Sequence, residues 1–153
     1  VATDPTGKCA LVTNNTSNDV MSYTIDSTTG ALIPVTTTTA IASSAPRSVA
    51  IDPDTGLYAY VANTGTSDVS AFSVDPATCA IIEIDADTVA GGMTIAAGSA
   101  PISINVDPSG AFVYVANFGS DNVSVYSIGA GGALTLVQTQ LTGPGPTFVT
   151  TTE

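Results

Sequence analysis

The sequence contains no histidine, two cationic side chains (Lys8 and Arg47) and two cysteines (Cys9 and Cys79) in 153 residues. Without histidine, neither a Ser-His nor a Cys-His nucleophilic pair can be assembled. No Gly-x-Ser-x-Gly elbow and no zinc-ligand spacing stands in its place. Two cations against 13 Asp and Glu leave a net charge of −11. Phosphate groups would find almost nothing to neutralise them, which excludes nucleic acid and disfavours anionic membranes and phosphorylated substrates. No apolar run approaches the roughly 20 residues of a membrane helix, so membrane insertion is not expected. There is no N-terminal Met or leader peptide, and the first residues fall inside a repeat, which reads as a processed or excised piece.

What the chain does have is apolar content, 44% of residues, enough for one domain with a real core. That content is arranged in a repeat. The stretch Pro101–Ile128, PISINVDPSGAFVYVANFGSDNVSVYSI, reappears at Pro46–Val74 as PRSVAIDPDTGLYAYVANTGTSDVSAFSV. A third copy lacking its start opens the chain as VATDPTGKCALVTNNTSNDVMSYTI. The Asp-Pro turn recurs at positions 4, 52 and 107, spacings of 48 and 55 residues. The longer spacing comes from one extra residue in the Asp52–Gly56 turn and an insertion within Asp85–Ala97.

Each unit reads as four strands, A to D, rich in β-branched and aromatic residues and bounded by Gly, Pro and Asn. Strand A is expected at Ser48–Ile51 and Ser103–Val106, strand B at Leu57–Ala62 and Phe112–Ala116, and strand C at Val69–Val74 and Val123–Ile128. Strand D is expected at Ala31–Thr37, Ala80–Ile84 and Ala133–Thr139. Strand B is apolar on both faces, as in a sheet covered on both sides. Strand C alternates more, with Ser124 and Ser127 among its apolar residues. Four-stranded units of about 40 to 50 residues fit the blades of a β-propeller. The expected fold is all-β, a propeller segment of about three four-stranded antiparallel blades within one domain. Blade 1 covers 1–45 with an incomplete strand A, blade 2 covers 46–100 with an outer-strand insertion, and blade 3 covers 101–145. Residues 146–153 align with the first strand of a fourth blade.

The motifs carry a resemblance. Tyr-Val-Ala-Asn at 60–63 and 114–117, with Leu-Val-Thr-Asn at 11–14, resembles the Tyr-Val-Thr-Asn repeat of surface-layer propellers. Thr29-Gly30-Ala31-Leu32 and Gly131-Gly132-Ala133-Leu134 after strand C are similar to the lactonase-type, 6-phosphogluconolactonase-like propellers. The resemblance covers nearly the whole chain. It implies blades of this type, about six to eight in a complete member, and, for the enzymes of the family, hydrolysis of sugar lactones.

Candidate site residues are few, and each has a structural reading. In the Asp-Pro-x-Gly turns, Pro presets one φ, Gly supplies the positive φ and Asp accepts bonds from following amides. Asn14, Asn63 and Asn117 end strand B and can cap the B–C loop, or else face a sugar or ion. Glu83, Asp85 and Asp87 form an acidic edge that offers three carboxylates toward calcium, which takes six to eight oxygens. A solvated edge that discourages strand pairing is the competing reading. Arg47, where strand A begins near the mouth of a central channel, is the one anion contact. Asn14, Asn15 and Asn122 start glycosylation triplets. Cys9 falls at the start of strand B and Cys79 in a C–D turn on the same side of the disc, but strand B is inner and that turn outer. A bridge needs Cα atoms within about 7 Å, so a disulfide and two free or intermolecular thiols both stay open.

On these grounds no catalytic, cofactor-binding or metal-binding set is assigned. The leading expectation is a non-enzymatic, extracellular or cell-surface propeller segment, because Thr, Ser and Asn are abundant and Lys is scarce. Its expected partners are other copies of itself or further blades, since three blades leave two apolar faces uncovered. The alternative is a lactonase-like hydrolase whose catalytic groups lie largely outside this segment.

Overall fold

The computed structural model describes residues 1–41, 44–84 and 94–152. Its strands follow the repeat. Blade 1 holds β1 (Ala2–Thr3), β2 (Cys9–Asn14), β3 (Asp19–Ile25) and β4 (Leu32–Ile41). Blade 2 holds β5 (Pro46–Ile51), β6 (Tyr58–Asn63), β7 (Asp68–Val74), β8 (Ile81–Glu83) and β9 (Thr94–Ala96). Blade 3 holds β10 (Pro101–Val106), β11 (Phe112–Asn117), β12 (Asn122–Ile128) and, after a 3-10 turn at Ala130–Gly132, β13 (Leu134–Leu141). Within each blade the strands pair antiparallel in chain order, giving three open sheets and no closed barrel.

Most strands match expectation to within two residues, and the differences have local causes. Strand A starts earlier than expected, at Pro46 and Pro101, because each is bulged one residue further on. Strand D of blade 2, expected as Ala80–Ile84, is divided: Ile81–Glu83 pairs with one end of β7 and Thr94–Ala96 with the other. The inserted residues fall between these two segments, and 85–93 lie outside the described residues. Residues 146–152 form no ladder, since no strand B lies beside them. They run along β10, where the Val149 amide donates to Ser103 Oγ (3.2 Å) and Thr151 Oγ1 to the Val106 carbonyl (3.0 Å).

Side chains alternate across a strand, so one blade feeds two cores. Val49, Ile51, Ala59, Val61 and Phe72 of blade 2 pack with Leu11 and Val20 of blade 1. Their sequence neighbours Ala50, Tyr60 and Ala62 pack instead with Ile104, Val106, Val113 and Val115 of blade 3. The doubly apolar strand B therefore belongs to the middle of a stack, as read from the sequence.

One contact recurs between blades: the start of strand B in one blade meets the C–D turn of the next. Between blades 2 and 3, Tyr58 lies against Gly132, whose added Cβ would stand 2.4 Å from Tyr58 Cδ1. Beside it the Tyr60 hydroxyl donates to the Gly132 carbonyl at 3.0 Å. Burial, with the negative charge of Asp52 behind it, raises the Tyr60 pKa and keeps that donor protonated. Between blades 1 and 2 the same two positions are Cys9 and Cys79, and they are bonded, with Cα atoms 5.4 Å apart. The inner strand and the outer turn belong to neighbouring blades, and the curve of the disc brings them together; the disulfide is therefore formed.

Both sulfurs are buried and the bridge closes a loop of 70 residues. Loop-closure entropy then contributes about 4 kcal/mol. The Cys9→Ser, Cys79→Ser double variant is expected to unfold in urea with its stability lowered by about that amount. An unchanged midpoint would show that the blade 1–blade 2 core alone holds the joint.

Candidate functional site

The inner strands β1, β5 and β10, with residues 148–150, line a trough of about 330 Å³. Among the described residues that line it are Thr3, Ser48, Ser103 and Asn105, together with apolar Val49, Ile51, Ile104 and Phe148. None of these side chains titrates near neutral pH.

The mouth of the trough is shaped by backbone irregularity. Pro46 pairs with Asn63 and Ser48 with Ala62, so Arg47 is an extra residue on its strand. In blade 3, Pro101 pairs with Asn117 and Ser103 with Ala116, which makes Ile102 the extra residue. Such bulges re-aim a side chain at the end of a strand. Arg47 and Ile102 meet Phe118 and Thr147 around one hollow of about 240 Å³. A second hollow places Arg47 beside Thr13, Asn15 and Pro46. Arg47 is exposed; its guanidinium carries a charge at any ordinary pH and can accept an anion or a carbonyl oxygen. The bulge was not legible in the sequence, although the recurring Pro-x-Ser at 46–48 and 101–103 was its available sign.

The conserved-looking asparagine positions do not reach this mouth. Asn63 and Asn117 are fully buried. The Asn63 amide donates to Asp68 Oδ1 (2.7 Å) and Ser70 Oγ (3.0 Å). That of Asn117 donates to Asn122 Oδ1 (2.8 Å) and Ser124 Oγ (2.9 Å). Asn14 donates to Asp19 Oδ1 at 2.6 Å. Each amide thus ties its B–C loop to strand C and is spent on the fold. Ser124, read as one of the polar residues breaking strand C, is buried to serve this bond. The Oδ1 atoms of Asn63 and Asn117 accept no hydrogen bond, but they are enclosed and reach no ligand surface. Of the glycosylation triplets, Asn14 and Asn122 are engaged in these loops, while Asn15 is exposed.

The aspartates of the turns are likewise internal. Asp4 Oδ1 accepts from the Lys8 and Cys9 amides (2.7 and 2.6 Å), and its other oxygen accepts from Thr6. Asp107 Oδ1 accepts from the Ala111 and Phe112 amides, both at 2.8 Å. In the C–D turns, Asp26 accepts from Thr28 and Thr29 and Asp75 from Ala77 and Thr78. The positive φ that closes the A–B turns is supplied by Gly7, Gly56 and Gly110. Among the described residues no three acidic or cysteine side chains come close enough to hold a metal ion. Asp85 and Asp87, which with Glu83 were the candidate calcium ligands, lie outside the described residues.

Burial of Asp4 and of Asp107 works against their ionisation, but the hydrogen bonds they accept outweigh it and both pKa values fall below the usual carboxylate value. Those of Asp26 and Asp75 fall too, chiefly through bonds from the Thr29 and Ala77 amides respectively. A lowered folded pKa stabilises the protein above the unfolded value of about 4. The contribution is lost as pH falls from there through the folded values. Stability is therefore expected to drop steeply below about pH 4. Asp107→Asn is expected to cost about 1 kcal/mol at pH 7 and to narrow the gap to wild type in acid. An Asp107→Asn variant with unchanged urea midpoints at both pH values would refute this role for the turn.

Residues 1–152 match the profile of the family described as Lactonase, 7-bladed beta-propeller. No curated protein matches the chain. Among solved structures, a candidate 6-phosphogluconolactonase from Bacteroides fragilis superposes with a TM-score of 0.81 at 20% identity, over 95% of this chain and 39% of that one. A protein from Lactobacillus plantarum gives 0.78 at 26% identity, over 96% and 42%. The periplasmic gluconolactonase of Pseudomonas aeruginosa gives 0.74 at 22% identity, over 92% and 38%. The chain thus spans about two fifths of the length of these structures. With a family match over nearly every residue and three sheets stacked as blades, the chain belongs to the lactonase family of seven-bladed β-propellers, as a partial propeller.

Proposed function

We propose that this segment acts as a non-enzymatic β-propeller module, extracellular or at the cell surface, that works by presenting loops and by joining other copies or further blades. The observation that supports this reading most is the lining of the trough: hydroxyls, one amide and apolar side chains, without an acid or base to move a proton. Lactone hydrolysis needs a general base or an activated water, and the described walls of this trough offer neither. The buried disulfide supports an oxidising compartment, where such bonds persist.

A second reading rests on Arg47. The family contains lactonases, and a cation raised by a bulge at the channel mouth is well placed to hold a carboxylate or to polarise a lactone carbonyl. In that case the proton-transfer groups come from blades outside this segment.

The two readings separate in one assay. The segment is expected to hydrolyse gluconolactone and its 6-phosphate no faster than buffer does, and Arg47→Ala is expected to leave that rate and the urea midpoint unchanged. Turnover above buffer that disappears in Arg47→Ala would overturn the first reading in favour of the second.

A further inference from the structure

Two positions define the joint between consecutive blades, and in this chain each also occurs once without its counterpart. The register sets Cys9, Tyr58 and Phe112 as equivalents, opposite Thr24, Ser73 and Ser127 of their strands C. The turn hydrogen bonds set Gly30, Cys79 and Gly132 as equivalents, each just before an alanine whose carbonyl accepts from the first residue of the turn. Cys9 meets Cys79, and Tyr58 meets Gly132. Phe112 meets nothing comparable: it is 39% exposed, on the face of β11 opposite the buried Val113 and Val115. Gly30, at φ +73°, has open space where its Cβ would stand. One edge of the molecule carries a projecting ring, and the opposite edge carries the seat that receives such rings.

Further positions repeat the pattern. Tyr114 is the equivalent of Tyr60, whose hydroxyl donates to the Gly132 carbonyl. Tyr23 is the equivalent of Tyr126, whose hydroxyl reaches back to the Ala96 carbonyl on strand D of the preceding blade at 2.8 Å. In blade 1 no preceding blade is present, and the Tyr23 hydroxyl rests on the Met21 sulfur at 3.6 Å. Backbone pairing is incomplete in the same sense. β1 pairs Ala2 with Leu11 and Thr3 with Ala10, leaving Val12–Asn14 of β2 without a ladder partner on that side. Residues 146–151, reading PTFVTT where blade 3 reads PISINV, carry the sequence of a strand A with no strand B beside them.

We infer that a second copy of this chain docks head to tail on the open face of blade 3. Phe112 of one copy seats on Gly30 of the next, and the Tyr114 hydroxyl donates to a carbonyl of that C–D turn. The Tyr23 hydroxyl of the second copy reaches the outer strand of the first near Leu141, the equivalent of Ala96. Residues 146–151 of the first copy pair with β2 of the second, displacing the two-residue β1. The commitment to a second copy comes from self-complementarity: the ring, the seat, the unpaired strand and the open strand edge are all on this one chain. The contact is heterologous, so it extends by addition until a ring closes or a filament grows. It rests on the reading of the segment as an assembling module and gives that assembly its interface.

The natural disulfide at the blade 1–blade 2 joint supplies the test, because the same two positions can be bridged between molecules. Phe112→Cys and Gly30→Cys variants, purified separately, are mixed and oxidised without reductant, then run on a non-reducing gel. The mixture is expected to give a covalent dimer about ten times more abundant than a mixture of Gly30→Cys with Phe118→Cys, since a bridge forms only where Cα atoms lie within about 7 Å. Equal dimer in the two mixtures overturns the inference. Sedimentation of the wild-type chain gives an independent readout: mass rising with concentration, and falling back to a monomer in Gly30→Asn, is expected. Asn tolerates the left-handed backbone while filling the seat. A wild-type monomer of 15.2 kDa at all concentrations, its faces left for further blades of a longer propeller, overturns it as well. Lactone turnover by the same samples would count against the non-enzymatic reading and leave the interface untouched, so the two failures are distinguishable.

Discussion

A four-stranded sheet is one side chain thick on either face, and the chemistry of this molecule follows from having to cover both faces. Alternation along a strand sends neighbouring residues to opposite sides, so every apolar residue added to strand B serves one of two separate cores. Tyr60 and Val61 illustrate it: adjacent in sequence and both fully buried, they belong to different blade joints. No blade can therefore be stable as a unit, and apolar burial of roughly 25 cal/mol per Å² becomes available only when blades stack. The Asp-centred turns and buried asparagine amides hold each sheet to the shape that stacking requires.

The fold was legible because its punctuation is local. Asp-Pro-x-Gly and the asparagine ending strand B act through bonds spanning two to seven residues, and such bonds leave a signature at fixed spacing. What could not be read depends on offsets between elements distant in sequence. Cys9 and Cys79 were placed correctly on an inner strand and an outer turn, but the lateral shift that brings one blade's strand under the next blade's turn is a property of the stack. The role of Ser124 was hidden for a similar reason. A serine among apolar residues reads as an outward position until the amide it serves is located, seven residues earlier and across the hairpin.

The candidate site was less legible, and the reason is physical. The inner wall of a propeller is made by several blades, each contributing one or two side chains, so no contiguous motif encodes it. Arg47 stood out through rarity alone. Its placement at the channel mouth depends on a bulge, and a bulge is visible only when pairing is known on both sides of it. The same device acts in blade 3 with Ile102, so this backbone presents a cation in one blade and a hydrocarbon in another without change of fold. A family of propellers can vary its chemistry at these positions while leaving every blade core intact.

The disulfide has a mechanical side. It joins residues 70 apart, a stretch that would extend to more than 200 Å at about 3.3–3.6 Å per residue if pulled straight. With the bridge in place, tension applied to the two ends bypasses that stretch: the load enters at β2 and leaves through the C–D turn of the middle blade. Only blade 3 and the short terminal segments can then be drawn out. A surface clip by a protease in the exposed turn at Asp54–Leu57 would, for the same reason, leave both pieces covalently joined and still stacked. Under force or digestion the first two blades behave as a single tethered body, and the third is the part that yields.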